Sequence, residues 1–397
     1  MNEHTNSKVP QIRFKGFSGE WVEKKPGELC DLFTDGDWIE SKDQSASGIR
    51  LLQTGNVGVN EFIDKADKAR WISLDTFERL KCEEVFPGDI LISRLPEPAG
   101  RACIVPKLSH RVITAVDCTI VRTAKSCDPA FLVQHLSLDS YFETINNYLG
   151  GGTRQRISRS ALGEILIQIP KFEEQQKIGT YFRELDRLIG LHQRKHDKLV
   201  TLKKAMLQKI FPQPGATIPE IRFKGFSGGW MEIQLGNVCL IRTGKKDADE
   251  GAADGLYPFF TCADNHIYSH SFSFDTEAIL IAGNANVGQT KYYQGKFEAY
   301  QRTYVLTDFS DINTRYLYTI LDAKLQESLQ KQVQVSAMSY IKLPMLNEFS
   351  LAVPPTIEEQ KKIGTYFHTL DSLISQHALQ LEKLKQIKSA CLEKMFV

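Results

Sequence analysis

The chain has almost no excess charge. Its 49 Lys and Arg stand against 48 Asp and Glu, a formal net charge of +1. No global field is available to gather a polyanion, so nucleic-acid binding would need locally clustered cations or a partner's contribution. Paired-cysteine motifs are also missing. The eight cysteines, at positions 30, 82, 103, 118, 127, 239, 262 and 391, form no C-x-x-C and no zinc-finger spacing with histidine, so they read as reduced structural thiols. No stretch approaches the ~20 apolar residues of a membrane helix, and the polar Met1–Lys8 segment has no apolar signal core. The expectation is a cytoplasmic protein with no membrane contact. A G-x-x-x-x-G-K-[ST] phosphate loop is absent, which excludes that kind of nucleotide site. Neither an Asn-Pro-Pro-aromatic nor an Asp-Pro-Pro-aromatic string marks an amino-methyltransferase. Asp322-Ala323-Lys324 has the look of a nuclease tail but no upstream carboxylate partner. The reading is a recogniser without catalytic residues, metal or cofactor of its own.

What the chain does have is duplication, which fixes architecture before any other signal. Ile-Arg-Phe-Lys-Gly-Phe-Ser-Gly occurs at 12–19 and again at 221–228, each copy followed two residues on by a tryptophan, Trp21 and Trp230. A second pair follows: Glu173-Glu174-Gln175 through Thr180-Tyr181-Phe182 is matched by Glu358-Glu359-Gln360 through Thr365-Tyr366-Phe367. The first pair is offset by 209 residues (12 to 221) and the second by 185 (173 to 358), so the middle of the second half is 24 residues shorter. Little of the two middles matches. Two near-identical frames therefore hold two inserts that look unrelated.

The second repeat opens a long helix in each half. Ile178, Phe182, Leu185, Ile189, His192, His196, Leu199, Lys203, Met206 and Ile210 alternate spacings of four and three, a sustained heptad seam. The same seam recurs at Ile363, Phe367, Leu370, Ile374, His377, Leu381, Leu384, Lys388, Cys391 and Met395. Acidic pairs in the first turns suit the helix dipole, and Phe211-Pro212-Gln213-Pro214-Gly215 stops the first helix. Roughly 40 residues at 1.5 Å each make a rod of roughly 60 Å. The matching seam makes the other helix the partner, and a two-fold-like repeat joined by a globular insert favours antiparallel pairing, with Ile178, Phe182, Leu185, Ile189, Ile363, Phe367, Leu370 and Ile374 as pairing or partner-docking positions. The alternative is that each helix packs only on its own insert. His192, His196 and Lys203 would be costly if fully buried and suggest a wet or partner-facing stretch. The two histidines have zinc-helix spacing without its glutamate, so they read as a seam pair.

The fold class is thus α+β, in two pseudo-symmetric halves, each a mixed α/β domain followed by a long helix. The segments are a linker at 1–17, a first domain at 18–168, a helix at 169–211, a second linker at 212–226, a second domain at 227–352 and a second helix at 353–397. Asp89–Ser93 and Ala278–Ala282 read as buried strands, each followed by a polar loop. Arginine, glutamine and asparagine on loops can make paired contacts to base edges, while lysine, serine and backbone N–H groups position on phosphates. The candidates for DNA contact are Arg94, Arg101, Thr153, Arg154, Gln155, Arg156 and Ser158 in the first domain. In the second they are Asn284, Asn286, Gln289, Lys291, Gln301, Arg302, Gln334 and Ser336. Gly150–Arg156 is the foremost, because its glycines allow close backbone approach beside Arg154-Gln155-Arg156. Tyr257, Phe259, Phe260, Tyr292, Tyr293, Tyr300 and Tyr304 read as core or sheet surface rather than as base-stacking groups.

Taken together, these features resemble the specificity subunit of type I restriction–modification systems. The resemblance rests on Pro10–Gly19 and its repeat at 219–228, on Gly88-Asp89-Ile90-Leu91-Ile92, on Gly152-Thr153-Arg154-Gln155 with Ile157-Ser158, and on the Pro-x-x-Glu-Glu-Gln helix starts at 170–175 and 355–360. It covers essentially the whole chain. It implies that the inserts are target recognition domains, each reading one half of a bipartite, asymmetric site on double-stranded DNA. The helices would be spacers that dock two modification (methyltransferase) subunits, which two restriction (motor-nuclease) subunits then join. S-adenosylmethionine, ATP and Mg would belong to those partners. A rigid rod would hold the half-sites about one helical turn (~34 Å) apart. The second domain departs from the pattern, lacking Gly-Gly-Thr, with Gln334-Val335-Ser336 in its place. Two other readings remain open: a coiled-coil adaptor whose globular ends bind proteins, and an enzyme with an unrecognised site in 257–305.

Overall fold

The structure, a computed structural model, describes residues 8–151, 155–332 and 340–397. The chain divides into two compact units. One comprises the chain up to His192 together with Gln380–Val397; the other is Gln193–Leu379. Among the described residues no helix is long and apolar enough to cross a membrane.

In chain order the first half contains β1 (Val22–Lys24), β2 (Cys30–Asp35), β3 (Gln44–Ser45), β4 (Ile49–Leu52), β5 (Arg70–Ile72), α1 (Leu74–Leu80), β6 (Ile90–Ser93), β7 (Ala102–Ile104), β8 (Val112–Thr114) and β9 (Cys118–Thr123). Then come α2 (Pro129–His135), α3 (Asp139–Asn147), α4 (Arg159–Glu164), β10 (Ile167–Ile169) and the long helix α5 (Phe172–Ile210). The second half contains β11 (Met231–Gln234), β12 (Leu240–Thr243), β13 (Tyr257–Phe260), β14 (Ile267–Ser269), β15 (Phe274–Ala282), β16 (Thr290–Ala299), β17 (Thr303–Thr307), α6 (Thr314–Gln332), α7 (Leu343–Asn347), β18 (Ser350–Val353) and the long helix α8 (Ile357–Met395).

The two inserts, dissimilar as sequences, share one strand order. In the second, a single sheet runs β12-β17-β15-β16-β13-β14. In the first, the order is β2-β9-β6-β7 in one sheet and β3-β5-β4-β8 in another. The first sheet's β7 and the second sheet's β8 take the places of the two ends of β16. A parallel strand pair falls at the same point in each insert, β4 with β8 and β13 with β16. The first insert interrupts its long strand between Ile104 and Val112; the second keeps ten residues unbroken. Each insert is entered and left through an antiparallel pair, β1 with β10 and β11 with β18.

Each unit is closed by helices running antiparallel. In the first, Asp186 of α5 accepts from Lys388 of α8 at 2.6 Å, and Phe182 lies 5.8 Å from Phe396. In the second, Lys203 of α5 lies 2.6 Å from Asp371 of α8, and Phe211 stacks on Phe367 at 6.2 Å. Every residue of both heptad seams is buried or half-buried, as a 3.5-residue period requires of helix-on-helix packing. Lys203 is not the open, partner-facing charge its sequence suggests. It sits between Asp371 and Asp322 (3.7 Å) and is 21% exposed. The repeat makes Lys203–Asp371 and Lys388–Asp186 the same ion pair written twice. An aromatic just past the end of the partner helix completes the core of each insert, called a reader for the role the resemblance implies: Trp21, Phe131, Phe182 and Phe396 in the first unit, Trp230, Tyr316, Phe367 and Phe211 in the second.

The duplicated Ile-Arg-Phe-Lys-Gly-Phe-Ser-Gly segments are more than connectors. Arg13 Nε and Nη2 donate to the two carboxylate oxygens of Glu174, both at 2.6 Å, while Nη1 donates to the Gly19 carbonyl at 2.6 Å. Arg222 makes the same fork on Glu359 (2.8 and 2.7 Å) and reaches the Gly228 carbonyl at 2.6 Å. Both carboxylates are 1% exposed. The neighbouring glutamines work on the readers: Gln175 accepts from Asp128 N at 3.0 Å and Gln360 from Asn313 N at 2.9 Å, covering the N-terminal ends of α2 and α6. Phe14 and Phe223 pack edge-on against Tyr181 and Tyr366, each at 5.7 Å.

Candidate functional site

The shared strand order allows the two readers to be compared position by position. Gly100 N donates to Ser93 O at 2.8 Å, and Gly288 N to Ala282 O at 2.9 Å. Both glycines have positive φ, 83° and 80°. Ile157 N donates to Arg94 O at 3.1 Å, and Ile341 N to Gly283 O at 2.8 Å. The loop after β6 therefore corresponds to the loop after β15, and the segment leading into α4 to the one leading into α7.

In the first reader several expected donors prove to be engaged. Arg94 is buried; its Nη2 donates to Val116 O at 2.6 Å and its Nε lies 3.5 Å from Asp35 Oδ1. Arg101 spends its guanidinium on five carbonyls: Val57 (2.6 Å), Leu95 (2.9 Å), Pro96 (3.1 Å), Pro98 (3.0 Å) and Thr54 (3.0 Å). Burial lowers its pKa below the usual guanidinium value. These two arginines order the loops from within, and neither presents a free fork to a ligand. Ser158 is the N-cap of α4, its Oγ accepting from Ala161 N at 3.1 Å. Ser158→Ala is expected to cost about 1 kcal/mol of stability without altering any ligand preference; urea unfolding and a binding titration on the same sample check both.

The Gly150–Arg156 loop is closed at its base by two backbone hydrogen bonds, Gly150 N to Arg156 O (3.1 Å) and Arg156 N to Gly150 O (2.9 Å). Arg156 is 59% exposed and lies 3.8 Å from Asp117; Gln155 is exposed. Thr153 and Arg154, like Gln334 and Ser336 in the second reader, lie outside the described residues.

The second reader gathers three of its candidates on one turn. Asn286 Nδ2 and Gln289 Nε2 both donate to Asp264 Oδ1, at 3.1 and 3.0 Å, and Lys291 Nζ donates to Ala263 O at 2.6 Å. Asn284 is half-buried beside them in sequence. Gln301 Nε2 donates to Asp247 at 3.0 Å, while Arg302 is exposed and lines a cleft with Gly283, Tyr340 and Lys342. Sequence reading missed Tyr340 and Lys342, which lie just beyond Gln334-Val335-Ser336.

A second cationic concavity, of about 170 Å³, opens in the first reader, lined by Arg50, Lys65, Lys68 and Arg70 around the Thr54–Asn56 turn. Arg50 is buried and held by Asp64 at 2.6 Å. Among the described residues no group of three or more His, Cys, Asp and Glu is placed to hold a metal ion. Burial pushes the thiols of Cys103, Cys127 and Cys239 up to about 12, so at neutral pH they are protonated packing groups. The exposed chemistry of both readers is hydrogen-bond donation from loops fixed by backbone contacts.

The family model described as type I restriction modification DNA specificity domain matches residues 18–201 and 227–386. The chain belongs to that family. It is 37% identical over 158 residues to the type I restriction enzyme EcoDI specificity subunit of Escherichia coli, a match covering 40% of this chain but 35% of that relative's length. The MjaVIII specificity subunit of Methanocaldococcus jannaschii is 23% identical over 295 residues, covering 66% of this chain and 68% of that one. The crystal structure of a type I restriction-modification system S subunit from M. genitalium has a TM-score of 0.66 at 18% identity, covering 98% of this chain and 99% of that one; it shows that the fold is shared.

Proposed function

We propose that this chain is the DNA-sequence specificity subunit of a type I restriction–modification complex, with each reader recognising one half of a bipartite, asymmetric site. The observation that carries the reading is the pairing of sameness and difference. The frame residues Arg13, Glu174 and Gln175 recur as Arg222, Glu359 and Gln360 with the same hydrogen bonds, while the loops on the shared strand order carry different donors. One geometry with two different donor sets suits two different half-sites. Near-neutral net charge suits a subunit whose partners supply part of the attraction to the phosphate backbone.

In this reading the chain itself is non-catalytic. Two modification subunits dock on the helices and two restriction subunits join them, with S-adenosylmethionine, ATP and Mg bound by those partners in the cytoplasm. The helices α5 and α8 act as the spacer. The test is methylation-pattern sequencing of DNA from cells expressing this chain with its modification subunits. A two-part motif that disappears when the chain is omitted is expected. Methylation that does not depend on the chain would favour the protein-binding adaptor instead. Inserting one helical turn between Leu185 and Ala205 is expected to change the preferred spacer and leave both half-sites intact; an altered half-site would sink the spacer role.

A further inference from the structure

We propose that the second reader holds an open, cationic cleft that takes an acceptor-rich group of duplex DNA, at the place where the first reader is closed by its own ion pairs. This deepens the specificity reading and rests on it.

The equivalences follow from the backbone. Asp35 pairs with Thr119 as Thr243 pairs with Tyr304. Arg94 N donates to Asp117 O as Gly283 N donates to Arg302 O, both at 2.9 Å, and Ile157 and Ile341 make the same hydrogen bond. Asp35, Arg94, Asp117 and Arg156 in the first reader thus correspond to Thr243, Gly283, Arg302 and Tyr340 in the second. The first set is self-neutralised: Arg94 lies 3.5 Å from Asp35 and Arg156 lies 3.8 Å from Asp117, and the Arg94 side chain fills the interior. In the second set both carboxylates are gone, an arginine stands where Asp117 stood, and glycine stands where Arg94 stood.

What remains is a cleft of about 340 Å³. No side chain can grow from Gly283 to fill it, because a Cβ there would come within 2.4 Å of the Arg302 carbonyl. Lys342 occupies the position of Ser158 and adds a second cation, its Nζ 6.0 Å from the Tyr340 ring centroid. None of the described lining residues is acidic. The Asp247 carboxylate near its edge is engaged by Gln301 and by Ala248 N. Two cations and the hydroxyls of Thr243 and Tyr340 make a site rich in donors. Such a site selects acceptors, and on duplex DNA these are a backbone phosphate or the O6/N7 edge of guanine, which an arginine meets with two hydrogen bonds.

Arg302→Ala in the chain assembled with its modification subunits tests this, with Lys342→Ala as the second variant should the first fail to fold. Each is challenged with a random-sequence duplex pool, the bound fraction is sequenced, and affinity for the best wild-type duplex is measured across salt concentrations. A guanine contact predicts a loss of about ten- to a hundredfold at one position, confined to one half of the recovered site. A phosphate contact predicts weakening across all sequences and a salt slope smaller by about one. Unchanged affinity, motif and salt slope in a folded variant would overturn the proposal, as would base preference lost at positions in both halves of the site. A wild-type chain that enriches no motif would instead sink the specificity reading itself.

Discussion

Glu359→Leu is expected to destabilise the second unit by about 3–5 kcal/mol, the usual cost of removing one member of a buried pair. Glu359 is 1% exposed and Arg222 13%. The guanidinium is also fixed by the Gly228 and Ser227 carbonyls at 2.6 and 2.9 Å, so it cannot follow the lost charge into water without dismantling the repeated segment. Arg222→Met combined with Glu359→Leu is expected to recover most of the loss, since a buried pair replaced by apolar groups is often close to neutral. Urea unfolding of both variants decides the matter. A single-variant loss below about 1 kcal/mol would mean that water reaches the pair. Glu174→Leu should behave alike in the first unit, where Arg13 makes the same fork.

Phe367→Ala carries the second large effect, about 3–5 kcal/mol for an aromatic side chain removed from a packed core. Phe367 is fully buried, stacked on Phe211 at 6.2 Å in the cluster that includes Trp230 and Tyr316. Those neighbours come from both long helices and from the reader, so they are held from several sides and cannot collapse freely into the hole. Thermal unfolding followed by near-ultraviolet circular dichroism, which reports the aromatic packing, is the measurement. A shift no larger than that of an exposed control such as Leu379→Ala would show that the cluster relaxes.

Much of the frame was legible beforehand. The heptad seam names its own buried positions because a 3.5-residue period leaves one stripe facing a partner helix, and every residue of it is buried or half-buried. Antiparallel pairing followed from a two-fold-like repeat joined by a globular insert. The role of the first repeat was not legible. Arg13 and Glu174 are 161 residues apart, and no local pattern reports which carboxylate an arginine will find. The candidate loops were read only in part. An arginine in a polar loop looks the same whether its fork faces solvent or, as at Arg101, five carbonyls of its own loops.

The duplication, the two long helices, the family and the lack of the catalytic motifs sought can all be read along the chain, because repeats, periodicity and motifs are linear signals. The strand order that the two dissimilar inserts share becomes visible in the fold alone. Strand pairing is made by backbone groups and tolerates nearly any set of side chains that keeps the core apolar. That common order turns Gly283 and Arg302 from two residues of a polar loop into the open counterpart of Arg94 and Asp117, a difference visible only once the strands are in register.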